Sequence, residues 1–127
     1  MTQQPDLTWQ PSLFGGETPA FDTSFARIER IHLDPTAWVD WLPGWVTGAD
    51  ALFQDILEHR DWFQRQRQMY DQKVREPRLV SPWNLRSGEP LEPPILEDIR
   101  IALSKRYGIE FDSVGFNLYR DGRDSVA

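Results

Sequence analysis

Two periodicities predict an α+β fold. Apolar and polar residues alternate with period two over residues 25–33 and again over 111–119, the pattern of strands whose side chains point to opposite faces. Residues 47–63 and 94–107 instead repeat their apolar positions at helical spacing. Clusters of Pro and Gly separate these runs, so strands and helices follow one another along a single folded unit.

The elements follow in order. Residues 1–24 carry Pro5, Pro11, Pro19, Gly15 and Gly16 without a sustained period, and are expected to form an extended arm laid over the domain. Residues 25–33, FARIERIHL, are expected to form a strand with Phe25, Arg27, Glu29 and Ile31 on one side. Asp34-Pro35 carries an N-cap followed by proline at the first helical position, which predicts a short helix through TAWVDWLPGW, ended by Pro43-Gly44. Thr47 or Gly48 then caps an amphipathic helix whose stripe is Leu52, Phe53, Ile56 and Leu57. The polar, basic stretch QRQRQMYDQKVREPRLV is expected to form a ribbon turning near Asp71, followed by an extended Pro77-Arg78, with a Pro/Gly-rich loop over residues 81–94. A second helix has Pro94 near its start, Ile95, Leu96, Ile99, Ala102, Leu103 and Tyr107 on one face, and Gly108 as terminator. The closing strand places Phe116 and Leu118 on one face and Asn117 and Tyr119 on the other, so that two polar groups can converge on one ligand. Arg120-Asp121-Gly122-Arg123-Asp124 reads as a turn, and Ser125-Val126-Ala127 as a second extended run.

The 127 residues suffice for one domain with a core, and 39% hydrophobic with 27% charged residues place the chain among folded proteins. No apolar run is long enough to span a bilayer, and the first residues lack the basic-then-apolar pattern of a signal peptide, so a cytoplasmic location is expected. With no Cys, a disulfide framework, a thiolate nucleophile and an iron–sulfur cluster are all excluded. The net charge of −6 argues against a polyanionic partner, but its distribution reverses that reading. Residues 60–86 hold Arg60, Arg65, Arg67, Lys73, Arg75, Arg78 and Arg86 against Asp61, Asp71 and Glu76, a locally cationic segment inside an acidic chain.

Complete catalytic sets are missing. His32-Leu33-Asp34 spells the H-x-D spacing of two ligands in a non-haem iron triad, but the other histidine, His59, sits at the polar end of the first amphipathic helix, and Asp34 is explained as a cap. There is neither a G-x-S-x-G elbow nor a glycine loop feeding a helix, and Glu97-Asp98 lie in a first helical turn, where the macrodipole favours acids.

The segment SVGFNLYRDGRDSVA (residues 113–127) resembles the one that precedes the iron-binding H-x-D of AlkB-type dioxygenases, Fe(II)- and 2-oxoglutarate-dependent enzymes that oxidatively demethylate alkylated nucleobases. The family's N-x-Y motif falls on Asn117-Leu118-Tyr119. MYDQKVREPRLVSPW (69–83) is similar to its nucleotide-recognition lid, which ends in a Pro-Arg pair, here Pro77-Arg78, and GWVTGADALFQDILEHRDW (44–62) resembles the helix leading into that lid. The similarity spans about residues 25–127.

The resemblance implies the N-terminal part of a double-stranded β-helix (jelly-roll) domain, with supporting helices and a lid at about residues 60–86. It implies Fe(II) and 2-oxoglutarate as cofactors of a complete enzyme, neither held tightly by this chain, and nucleic acid, alkylated DNA first, as partner. Asn117 and Tyr119 take the role of 2-oxoglutarate contacts, Met69 and Tyr70 of wedges at the base stack, Arg78 of a strand or phosphate contact, and Trp83 of a ring that stacks on a flipped base. The family's iron ligands are expected beyond Ala127, so the chain as given is expected to show no turnover. Two alternatives stand beside this reading: a non-catalytic nucleic-acid-binding module, and a 2-oxoglutarate oxygenase acting on another substrate.

Overall fold

The computed structural model describes residues 17–126, and its two helices lie where the sequence pattern puts them. Helix α1 (Ala49–His59) is entered through Gly48, whose left-handed φ of 65° suits glycine. Helix α2 (Pro94–Tyr107) has proline in its first turn and ends at Gly108, φ 64°, whose N–H bonds to the Ser104 carbonyl. Its expected face, Ile95, Leu96, Ile99, Ala102, Leu103 and Tyr107, is half-buried throughout.

Around the helices the chain forms short antiparallel strand pairs, giving a mixed α/β domain. Strand β1 (Ala20–Phe21) pairs with β4 (Val46–Thr47), β2 (Glu29–Asp34) with β3 (Ala37–Trp41), β5 (Gln66–Met69) with β6 (Gln72–Arg75), and β7 (Leu79–Asn84) with β8 (Ser113–Leu118). Most of the expected N-terminal arm, residues 1–16, lies outside the described residues, and its last part carries β1.

Three expectations need correction. The strand expected from residue 25 begins at Glu29; Phe25 instead sits in a turn at φ 54°, closed by a bond from the Ile28 N–H to the Phe25 carbonyl. The helix expected after Asp34-Pro35 is a strand, β3. The Asp34 carboxylate accepts from the Thr36 N–H at 2.7 Å and the Thr36 hydroxyl at 2.9 Å, so it closes a hairpin turn rather than capping a helix. The loop expected over residues 81–94 starts late, because β7 runs through Ser81 and Pro82 to Asn84 before the short 3-10 turn Leu85–Ser87. Val80 exchanges both backbone bonds with Phe63 on the edge away from β8; Pro82, two residues on, faces that same edge, where a missing N–H costs the ladder nothing.

The core lies between α1 and the β7–β8 pair. Trp62, Leu79 and Leu118 are its buried centre, with Ile56, Leu57 and Phe116 packed against them, and the Trp62 indole N–H donates to the Leu57 carbonyl at 3.1 Å. Arg60 fastens this layer: its guanidinium donates to the Ser81 hydroxyl at 3.0 Å and the Pro82 carbonyl at 3.3 Å while lying 4.2 Å from the Phe116 ring centre. Burial pulls the pKa of Arg60 down, the direction desolvation gives a cation.

A second cluster ties the β2–β3 hairpin to α2. Arg30 and Asp40 face each other across the hairpin and form a two-point ion pair at 2.8 and 2.9 Å, Arg30 stacks 3.6 Å over Trp38, and the Tyr107 hydroxyl donates to Asp40 at 2.6 Å. Hydrogen bonds from Arg30 and then Tyr107 hold the Asp40 carboxyl at about 2, below its usual 3.8. A carboxyl depressed in the folded state stabilises it fully above the unfolded value; that contribution fades as the pH falls from 3.8 toward 2. Acid titration followed by near-ultraviolet circular dichroism is therefore expected to show a loosening of the hairpin in that window, and Asp40→Asn to remove the window while leaving the chain less stable at neutral pH. A variant titrating like the parent contradicts this.

Candidate functional site

The β5–β6 ribbon is solvent-exposed and carries a consistent chemistry. Pairing of Gln66 with Arg75 and of Gln68 with Lys73 places two amides and two cations on one face, since cross-strand partners share a face. Arg67, opposite Val74, lies on the other face, and Arg65 precedes the ribbon. The side chains of Arg65, Arg67, Lys73 and Arg75 are exposed, and among the described residues none of the four forms an ion pair. The ribbon therefore carries uncompensated positive charge into solvent.

Its tip is the expected turn. Tyr70 and Asp71 both take left-handed φ values, 49° and 63°, the two-residue loop whose twist matches that of paired strands. Asp tolerates this conformation; a tyrosine is uncommon there. Tyr70 is 93% exposed, so no packing of its ring compensates for that backbone. Met69 pairs through its backbone with Gln72; its side chain lies outside the described structure.

The other residues singled out in the sequence fall elsewhere. Arg78 is partly buried, 3.4 Å from the Glu76 carboxylate, and donates to the Val126 carbonyl, while the Ser125 N–H bonds to the Pro77 carbonyl at 2.8 Å. Arg78 thus joins the segment after β6 to the terminal segment. Trp83 is buried, its indole N–H on the Glu89 carbonyl at 3.0 Å, and its ring packs in the interior. The turn expected at residues 120–124 is present: Asp121 accepts from the Arg123 N–H at 2.8 Å, and Arg120 pairs with Asp124 at 2.8 Å.

Strand β8 alternates as expected, with Val114 and Phe116 half-buried, Leu118 buried, and Ser113, Gly115 and Asn117 exposed. Asn117 borders a cavity of about 290 Å³ between α1 and β8, walled by Phe53, Ile56, Trp62 and Phe116. Tyr119, just past the strand, is 43% exposed and does not line that cavity. Among the described residues neither the Asn117 amide nor the Tyr119 hydroxyl has a hydrogen-bond partner, but only Asn117 borders the cavity, so the two groups expected to converge on one ligand do not share one pocket. Iron does not fit the described residues: no group of three His, Cys, Asp or Glu side chains comes together there. His32 is exposed on β2, Asp34 is engaged by Thr36, and His59 lies at the end of α1, 2.7 Å from Asp55, whose backbone carbonyl and carboxylate raise its pKa.

No known protein-family model matches the chain, and no curated protein sequence matches it significantly. The functional reading therefore rests on residues and their geometry. Two arrangements were missed in the sequence. The Arg30–Asp40–Tyr107 cluster was legible only through the hairpin register, which pairs Arg30 with Asp40 by way of a shift between His32 and Asp34. Arg60 carried no local signal, because its partners come from residues 21 and more positions away. Among the described residues no helix is long and apolar enough to cross a membrane.

Proposed function

We propose that the chain is the N-terminal portion of an oxidative nucleic-acid demethylase of the AlkB type, built on a jelly-roll domain and using Fe(II), 2-oxoglutarate and O2. The observation that carries this reading is the β5–β6 ribbon: a solvent-exposed element whose three cations, with Arg65 just before it, form no ion pair among the described residues, with an aromatic ring held outward at its tip. Such an element can follow a phosphate backbone while the ring enters a base stack, which is what access to a base inside a duplex requires.

In this reading Lys73 and Arg75, with Arg65 and Arg67, hold the strand, and Tyr70 fills the space left by the displaced base. Asn117 would donate its amide to a carboxylate of 2-oxoglutarate at the cavity it borders, and Tyr119, outside that cavity, would meet the cosubstrate only where it extends beyond it. Fe(II), were it bound, would supply the oxidising chemistry; none of the described residues is assigned to hold it. Arg78 and Trp83 support the lid and are not assigned to substrate contact.

The second reading, a nucleic-acid-binding module without chemistry, is favoured by the ribbon's being complete in this chain. The two part on Asn117. In the polypeptide encoded by the natural reading frame, Asn117→Ala is expected to raise the KM for 2-oxoglutarate about tenfold, the effect of losing one hydrogen bond to a charged group, with a smaller change in DNA affinity. An unchanged KM, or no 2-oxoglutarate turnover by the parent, removes the demethylase reading and leaves the binding module.

A further inference from the structure

A cavity away from both the ribbon and Asn117 lies between the first residues described and α2. It has a volume of about 560 Å³, within the range of about 300–1,000 Å³ typical of small-ligand sites. Phe21, Phe25, Ile101 and Ala102 supply its apolar wall, and Lys105 and Arg106 contribute two cations at one end.

The wall is fixed before any ligand arrives. The Asp22 carboxylate accepts from the Ser24 N–H at 2.9 Å and the Ser24 hydroxyl at 2.7 Å, and the Ser24 hydroxyl oxygen accepts from the Ala26 N–H at 3.1 Å. That turn holds Phe25 at φ 54°, a conformation a phenylalanine rarely adopts, with its ring buried. Trp45 braces both wall rings, with centroids 5.9 Å from Phe21 and 5.8 Å from Phe25. A rare backbone conformation maintained by three side-chain bonds to set one ring in a cavity wall is preorganisation, which lowers the cost of binding.

The charges give the cavity a direction. Among the described residues neither Lys105 nor Arg106 forms an ion pair, although Arg106 lies 5.1 Å from the Phe25 ring centre. Asp98 also lines the cavity, seven and eight residues earlier on α2, so it stands about 11–12 Å along the helix axis from the cations. One end therefore attracts an anion and the other repels it, while the middle is apolar.

We propose that this cavity binds a small amphiphilic monoanion, a medium-chain carboxylate, with its headgroup at Lys105 and Arg106 and its apolar body against Phe21, Phe25, Ile101 and Ala102. The site is independent of the demethylase reading. A cationic amphiphile meets like charge in this orientation and, reversed, the single carboxylate of Asp98 in place of two cations, and a dicarboxylate of equal length brings its second charge against Asp98.

Isothermal titration calorimetry of the 127-residue chain with decanoate, decylamine and decanedioate tests this. Decanoate is expected to bind about tenfold more tightly than either of the others, the effect of reversing or duplicating one partly exposed charge contact. Lys105→Glu is expected to weaken decanoate about tenfold on the same ground, and Ile101→Glu to abolish binding by placing a carboxylate in the wall. Both positions are exposed, so both variants are expected to keep the parent's far-ultraviolet circular dichroism. Equal affinity for decanoate and decylamine, undiminished decanoate binding by both variants, or no binding by the parent overturns the proposal.

Discussion

Leu79→Ala is expected to leave the chain largely unfolded or close to it. Leu79 is 1% exposed at the centre of a cluster whose other fully packed members are Trp62 and Leu118, so truncation opens a cavity that few neighbours can collapse into. Buried leucine-to-alanine changes cost about 2–5 kcal/mol, against a total folding stability of about 5–15 kcal/mol for a typical domain. This domain belongs at the low end, because its exposed hydrophobics include Ile31, Leu33, Val39 and Trp41 on the β2–β3 hairpin, which add little to its core. Urea unfolding followed by tryptophan fluorescence checks this, since Trp62 belongs to the same buried cluster as Leu79. A loss of under about 1 kcal/mol would place the core elsewhere.

Removing two charges from the ribbon face is expected to have the largest effect on partner binding. Each phosphate neutralised on duplex DNA contributes about 0.9 to the slope of log affinity against log salt, so Lys73→Gln with Arg75→Gln is expected to flatten the slope by about 2 and weaken binding about fiftyfold at 0.1 M salt. Tyr70→Ala is expected to lose about tenfold in affinity for single strands, the value of one stacked base, with the slope unchanged. Arg78→Gln separates charge in general from charge on the ribbon. Arg78 is already engaged by Glu76 and Val126, so its loss is expected to lower stability rather than alter the salt slope. If Arg78→Gln flattens the slope and the ribbon variants do not, the interface lies at Arg78, after β6, instead.

How far the sequence could be read depended on whether a local signal had one meaning. Helix α2 was legible because proline at its start, one apolar face and Gly108 at its end agree. The β5–β6 turn was placed correctly near Asp71 because a polar ribbon with no helical period has few other options. Asp34-Pro35 misled because a carboxylate before proline serves equally to cap a helix and to close a turn; what decides is the pairing of Arg30 with Asp40 and the contact of Asp40 with Tyr107 of α2, which are non-local. Ser81-Pro82 misled because proline is a breaker only where the strand needs its N–H, and sequence does not say which edge a residue faces. Trp83 illustrates the same limit at the site: one indole can stack on a base or fill a core, and only tertiary structure shows it packed inside with its N–H on Glu89.

The demethylase reading stands or falls on methyl removal. The polypeptide encoded by the natural reading frame, given Fe(II), 2-oxoglutarate and O2, is expected to release formaldehyde from an N-methylated oligonucleotide and none from its unmethylated twin. Equal formaldehyde from both, or none from either, contradicts it.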